Sequence, residues 1–202
     1  ETAPVELPLL GRYNVENALA ASGVALAAGL GVAEVARGLG SAPQVPGRLE
    51  MVVKEPFTVL LDYAHTPDAL ETVLTTLRPV VRGRLLVLFG AGGDRDRGKR
   101  PRMGGVVARL ADLAFVTSDN PRTEDPDAII DQVVAGMVGA PWRRIADRRQ
   151  AIAAALCEAR PGDLLLLAGK GHESYQVVGR ERRPFPEAAI VRELLGVGEE
   201  VA

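Results

Sequence analysis

Residues 84–100 read RLLVLFGAGGDRDRGKR: a short, unbroken apolar run that gives way abruptly to glycines and alternating charge. An apolar run without period-2 alternation is what a strand buried on both faces looks like, as in a parallel sheet. Such sheets bind ligands beyond the carboxyl ends of their strands, which is where the glycine-rich loop falls. The same unit, run then loop, recurs at 58–63 (TVLLDY), 112–118 (DLAFVTS) and 163–168 (DLLLLA).

Amphipathic stretches separate these runs. Thr66 and Pro67 supply an N-cap and a first helical position before Leu70, Val73, Leu74 and Leu77. Asp125 and Pro126 repeat that signal before Ile129, Ile130, Val133 and Met137, and a third helix covers roughly 149–159. Residues 174–185 fit a hairpin turning at Gly179, and 187–195 a last helix. The alternation predicts an α/β domain: a Rossmann-like, mostly parallel sheet flanked by helices. Upstream, residues 12–40 carry Ala18, Leu19, Ser22, Leu26 and Val32, Val35, Ala36, Leu39 at helical spacing, broken near Gly29 and Gly31. They predict two short helices. Pro43, Pro46 and Gly47 punctuate the stretch that follows, so the expected domains are 1–46, linker included, and 47–202.

A length of 202 residues allows one full domain and a remainder, or two small domains. With 47% apolar and 25% charged residues, disorder and fibrous repeats are excluded. Aromatics at 4% offer no stacking platform for single-stranded nucleic acid. Twenty-four Lys and Arg against 26 Asp and Glu argue against a nucleic-acid or membrane-surface partner, so any anion site is local. Arg95, Arg97, Lys99, Arg100 and Arg102 form the expected local cluster. Cys157 is the only cysteine, which rules out an intrachain disulfide and a Cys-ligated zinc; among Ala155, Leu156 and Ala159 it reads as a packing residue. No metal site is expected. No apolar run approaches the roughly 18 residues of a membrane span, and the start, ETAPVELPLLGRYN, lacks the pattern of a signal peptide. A cytoplasmic protein is the expectation.

Each loop after a strand holds candidate chemistry. In Gly90–Arg100 a dinucleotide fingerprint would need glycine where Arg95 stands, so that motif fails; an Arg held by glycines can instead fork a carboxylate or phosphate, unless the Arg-Asp run is simply self-paired. Ser118-Asp119-Asn120-Pro121-Arg122 reads either as a turn or as a site for a zwitterionic amino acid, with acceptors for an ammonium and a guanidinium for a carboxylate. Gly169-Lys170-Gly171-His172-Glu173 lacks Walker spacing; Glu173 suits a second ammonium, and His172 suits a structural turn. Asp62, at a strand terminus, fits a ribose hydroxyl, and His65 fits either a structural or a functional role. Asn14 and Asn17 fit helix capping, with Asn14 as N-cap.

Six segments, GRYNVEN (11–17), GRLE (47–50), DYAHTPD (62–68), GAGGDRDRGKRPRM (90–103), SDNPRTE (118–124) and AGKGHESY (168–175), together resemble the Mur ligases of peptidoglycan synthesis in order and spacing. The resemblance implies a three-domain ligase that couples ATP, with Mg2+, to amide formation through an acyl phosphate. Residues 1–46 would be the last helices of its central ATPase domain plus linker, and 47–202 its amino-acid-binding domain. The family's P-loop, magnesium ligands and carbamylated lysine have no counterpart here, so the chain is not expected to catalyse ligation alone. Carried over by position, Arg95, Asp119, Asn120, Pro121, Arg122, Gly169 and Glu173 would bind the incoming amino acid. Asn14, Asn17, Arg48 and Asp62 would face ATP. The pattern at 119–122 favours meso-diaminopimelate, joined to UDP-MurNAc-dipeptide, because a lysine would leave a guanidinium unpaired. Lysine- or ornithine-adding ligases, a folylpolyglutamate-synthetase-like ligase and a non-catalytic binding module are the alternatives. ATP-facing residues on both sides of the linker make Val45 to Arg48 the expected hinge.

Overall fold

The computed structural model describes residues 2–198, so the outermost ends of both expected domains lie outside the described residues. The chain divides between Val45 and Pro46 into two compact units.

The first unit holds helices α1 (Arg12–Ala27) and α2 (Val32–Gly40), broken where expected, with Gly29 at φ 93° and Gly31 as the N-cap of α2. Neither helix has a buried residue, and Val15, Leu19 and Val24 are more than half exposed. The N-cap of α1 is Gly11 rather than Asn14. Asn14 sits inside the first turn and donates back to the Leu10 carbonyl at 2.7 Å, so it satisfies a carbonyl ahead of the helix instead of an orphan helix N–H.

In the second unit β1 (Glu50–Val53) precedes β2 (Thr58–Asp62), α3 (Pro67–Leu77), β3 (Leu85–Phe89), α4 (Lys99–Leu110) and β4 (Leu113–Val116). There follow α5 (Pro126–Val134), β5 (Trp142–Arg144), α6 (Arg148–Glu158), β6 (Leu164–Ala168), the hairpin β7 (Tyr175–Val178) and β8 (Glu181–Pro184), and α7 (Glu187–Leu195). The six-stranded sheet has the order β1-β2-β6-β3-β4-β5, parallel except for β1. It is the expected α/β architecture. The capping signals act as read: Thr66 accepts from the Ala69 amide, and Asp125 from the Asp127 amide.

The pleat sends alternate residues to opposite faces. Val59 and Leu61 of β2, Leu86 and Leu88 of β3 and Leu165 and Leu167 of β6 join Ile152 and Leu156 of α6 and Ile190 and Val191 of α7 in one core. Leu60, Val87 and Leu166, facing the other way, are equally buried, and α3, α4 and α5 pack in sequence beside the sheet. Two strands escaped the sequence reading: β1 is an antiparallel edge, and β5 is three exposed residues with no apolar run to mark it. α5 ends at Val134, short of Met137, whose side chain is buried beyond the helix. Cys157 is exposed, contrary to the expected packing role, because α6 turns Ala155 and Leu156 to the core and the next residue outward. Among the described residues no helix is long and apolar enough to cross a membrane.

Register aligns the strand ends, with Asp62 beside Ala168, Leu88 beside Leu167 and Phe89 beside Val116. The loops after β2, β3, β4 and β6 therefore emerge side by side.

Candidate functional site

These four loops and the β7-β8 hairpin enclose a cleft of about 480 Å³, a volume suited to a small ligand. Six of the seven residues expected to bind an amino acid line it: Arg95, Asp119, Asn120, Arg122, Gly169 and Glu173. Pro121 is buried and does not line it; its part is to hold the turn against the loop after β3, so close that a Cβ on Gly93 would overlap the Pro121 carbonyl oxygen. The Gly93 amide donates to the Asn120 carbonyl at 2.9 Å across the same contact.

Asn120 organises the acceptor side. Its Oδ1 accepts from Lys170 Nζ at 3.0 Å and from the Val177 amide at 2.8 Å, so its Nδ2 is left to donate to Glu173 Oε2 at 2.9 Å. Asp119 is buried, with Oδ1 3.3 Å from Lys170 Nζ. Opposite in charge, Arg122 occupies the left-handed region at φ 52°. That conformation, costing about 1–3 kcal/mol in a non-glycine residue, is over-determined by the hairpin: the Arg122 amide donates to the Val177 carbonyl at 3.1 Å and its carbonyl accepts from the Gly179 amide at 2.7 Å. Its guanidinium donates to the Gly93 carbonyl at 2.8 Å. The hairpin is thus a wall of the site, and it adds Tyr175, Arg180 and Arg182 to the lining.

The basic run at 95–102 does not stay together. Arg100 is fully buried and bound to Glu124 and Gln132, Arg97 pairs with Glu124, and Arg102 reaches toward Asp68, so only Arg95 and Lys99 line the cleft. Glu124 is held down to about 2 from an ordinary 4.5, first by its hydrogen bonds from Arg100. Lys99 donates to the His65 carbonyl at 2.9 Å, and partial burial lowers its pKa. Burial also lowers that of Lys170, against the pull of Asp119.

A family model for the Mur ligase, glutamate ligase domain, matches residues 47–171. The chain belongs to the Mur ligase family. Among curated Mur ligases it is 52% identical over 192 residues to the UDP-N-acetylmuramoyl-L-alanyl-D-glutamate--2,6-diaminopimelate ligase of Nostoc sp., covering 93% of this chain and 39% of that protein. A solved structure of a UDP-N-acetylmuramoyl-L-alanyl-D-glutamate--2,6-diaminopimelate ligase matches with 42% identity and a TM-score of 0.75, over 95% of this chain and 40% of that one. The folylpolyglutamate synthase of Mycobacterium tuberculosis shares the fold, at 23% identity and a TM-score of 0.66 over 97% of this chain and 43% of that one. The chain therefore spans about two fifths of the length of the ligases it matches.

Of the 62–68 motif, Tyr63 and His65 line the cleft, and the remaining Mur ligase motif residues have other surroundings. Asp62 is buried; its Oδ2 accepts from the Leu49 amide at 2.9 Å and its Oδ1 from the Ala64 amide at 2.8 Å. Burial raises its pKa, partly offset by those two bonds and by Arg48. The structure thus gives Asp62 a job the sequence did not suggest, tying Leu49, at φ 47°, to the end of β2. Arg48 is exposed with its guanidinium 4.9 Å above the Tyr63 ring. His172 also packs on Tyr63, its ring centroid 5.3 Å away, in keeping with a structural turn, and His65 Nδ1 lies 2.8 Å from the Tyr63 carbonyl. Asn14 and Asn17 belong to the first unit, where Asn17 donates to Asn14 Oδ1 at 3.2 Å.

Proposed function

We propose that this chain is the amino-acid-binding portion of an ATP-dependent ligase that joins meso-diaminopimelate to UDP-N-acetylmuramoyl-L-alanyl-D-glutamate. The observation that carries the proposal is the cleft itself, where the carboxylates of Asp119 and Glu173, the latter held by Asn120, face the same space as the guanidinium of Arg122. A carbon bearing both an ammonium and a carboxylate satisfies both sets at once. Lysine, whose side chain ends in ammonium alone, would leave Arg122 desolvated without an anion, and that unpaired charge is what rejects it. Arg95 and Gly169 complete this reading of the amino-acid site, and Pro121 holds its turn in place.

In the same reading ATP phosphorylates the dipeptide's terminal carboxylate, and the diamino acid's free amine attacks the acyl phosphate. Magnesium would supply charge neutralisation at the transferring phosphoryl group; its ligands are assigned to parts of the ligase outside this chain. Arg48, exposed beside an aromatic ring, fits a contact to ATP phosphates or base. Asp62 fits a ribose hydroxyl only through the lone pairs that Leu49 and Ala64 leave free. Asn14 and Asn17 are assigned to the adenine side. The cytoplasm, where ATP and the nucleotide-linked precursor are available, is the compartment this chemistry requires.

The test is the full-length ligase with meso-diaminopimelate, lysine and ornithine as acceptors. Arg122→Ala is expected to raise KM for meso-diaminopimelate by roughly 10- to 100-fold, the loss of one charged hydrogen-bonded contact. Preference of the wild type for lysine, together with no effect of Arg122→Ala, would overturn the reading.

A further inference from the structure

Lys170 stands between two glycines just after β6, in the loop that lacks Walker spacing. Gly169 takes φ 115° and Gly171 φ 51°, and the turn presses against the residue after β2 so closely that a Cβ on Gly171 would lie 2.7 Å from Tyr63 Cβ. This reversal drives the Lys170 side chain under the cleft floor: it is fully buried and does not line the cleft. Its ammonium donates to Asn120 Oδ1 at 3.0 Å and to the Tyr175 carbonyl at 2.8 Å, and it is ion-paired, without a hydrogen bond, to Asp119 Oδ1 at 3.3 Å. Glu173 Oε2 lies 3.8 Å away.

We infer that Lys170 is a positioning and specificity-determining residue of the amino-acid site, one that orients the ammonium acceptors without touching the substrate. The inference rests on the proposed reading of the cleft and deepens it. Two consequences of the geometry carry it. An amide side chain can face either way, but Asn120 cannot: Lys170 and the Val177 amide both donate to one of its atoms, which must be the oxygen, so the NH2 is turned toward Glu173. Lys170 thereby fixes Asn120, and Asn120 fixes Glu173. The second consequence concerns charge. Asp119 and Glu173 together would present two negative charges to a single ammonium; the buried lysine beside both brings the set to a net of one, which matches one ammonium and favours it over a dication. The hydrogen bond to Tyr175 also ties β6 to the foot of the hairpin wall, so the acceptors and Arg122 share one frame.

The experiment compares wild-type full-length ligase with Lys170→Met, which keeps the aliphatic stem and removes the donors, and Lys170→Gln, which keeps one donor group. Acceptors are meso-diaminopimelate and 2-aminopimelate, the analogue lacking the distal amine. Lys170→Met is expected to raise KM for meso-diaminopimelate by about 10- to 100-fold. KM for ATP and for the nucleotide-sugar dipeptide should stay within about twofold, and Lys170→Gln should fall between. The preference for meso-diaminopimelate over 2-aminopimelate should collapse in Lys170→Met, a change that general loss of folded enzyme would not produce. If Lys170→Met does not fold, the same two readouts on Lys170→Gln decide. A folded variant with unchanged KM and unchanged preference overturns the inference while the amino-acid site stands. A rise in KM for ATP instead would make Lys170 a nucleotide residue and overturn it as well. If the wild type uses lysine in place of meso-diaminopimelate, the reading of the substrate fails, and the KM for lysine in the two variants judges the positioning role by the same criterion.

Discussion

Glu124→Gln should cost the second unit about 2–3 kcal/mol at neutral pH, most of which disappears in acid. Glu124 Oε1 accepts from Arg100 Nη2 at 2.8 Å and from the Asp94 amide at 2.6 Å; its Oε2 accepts from Arg100 Nη1 at 3.0 Å. Arg100 is fully buried, while the Glu124 side chain keeps 14% of its surface. Moving a carboxyl from 4.5 to about 2 corresponds to about 3 kcal/mol, at about 1.4 kcal/mol for each tenfold change in proton affinity. Removing one partner of a buried ion pair costs about 3–5 kcal/mol by an independent route. Solvent at the exposed edge and the oxygen that glutamine retains place the expected loss at the lower end.

The sign follows from the direction of the shift. A carboxyl held low in the folded state adds stability above its unfolded pKa and loses it as pH falls through the folded one. The gap between wild type and Glu124→Gln should therefore be full above about pH 5 and close progressively toward pH 2. Trp142 is the only tryptophan and lies on β5 of the same unit, so its fluorescence during urea unfolding reports the relevant transition. A gap under about 1 kcal/mol at pH 7, or one unchanged from pH 5 to pH 2, would refute the reasoning.

Gly93→Ala should displace the 119–122 turn, because its Cβ overlaps the Pro121 carbonyl oxygen; calorimetry on the full-length ligase should show weakened amino-acid binding, and wild-type affinity would refute the contact. Cys157, exposed on α6, should react with a thiol reagent in the native protein, and Cys157→Ser should shift stability by no more than about 0.5 kcal/mol; a thiol that reacts only on unfolding would restore the packing role.

The parallel core was readable because a strand buried on both faces needs no partner to reveal it: β3, β4 and β6 are apolar throughout, β2 is apolar between Thr58 and Asp62, and each is followed by a loop. β1 and β5 were not readable for the complementary reason. Each is a short edge without a buried apolar run: β1 is only half-buried throughout, and Trp142-Arg143-Arg144 is exposed along its whole length. The cleft residues were readable as residue types placed beyond strand ends. The hairpin wall was not, since Arg180 and Arg182 reach the cleft only because β7 docks against the backbone of Arg122.

What sequence proximity cannot convey is which charges oppose one another. Arg95, Arg97, Lys99, Arg100 and Arg102 fall within eight residues, yet α4 begins at Lys99 and successive helical side chains point about 100° apart. Neighbours in the chain are thus sent to different places: Lys99 toward the cleft, Arg100 inward to Glu124, and Arg102 out toward Asp68. The opposite happens to Asp119, distant in sequence from Lys170 and Glu173 and gathered to them by the adjacency of the loops after β4 and β6. Local sequence therefore overstated the anion site at 95–102 and concealed the lysine beneath the ammonium site. Both errors have one cause: the sign and strength of a site are set by the charges that the strand order brings together.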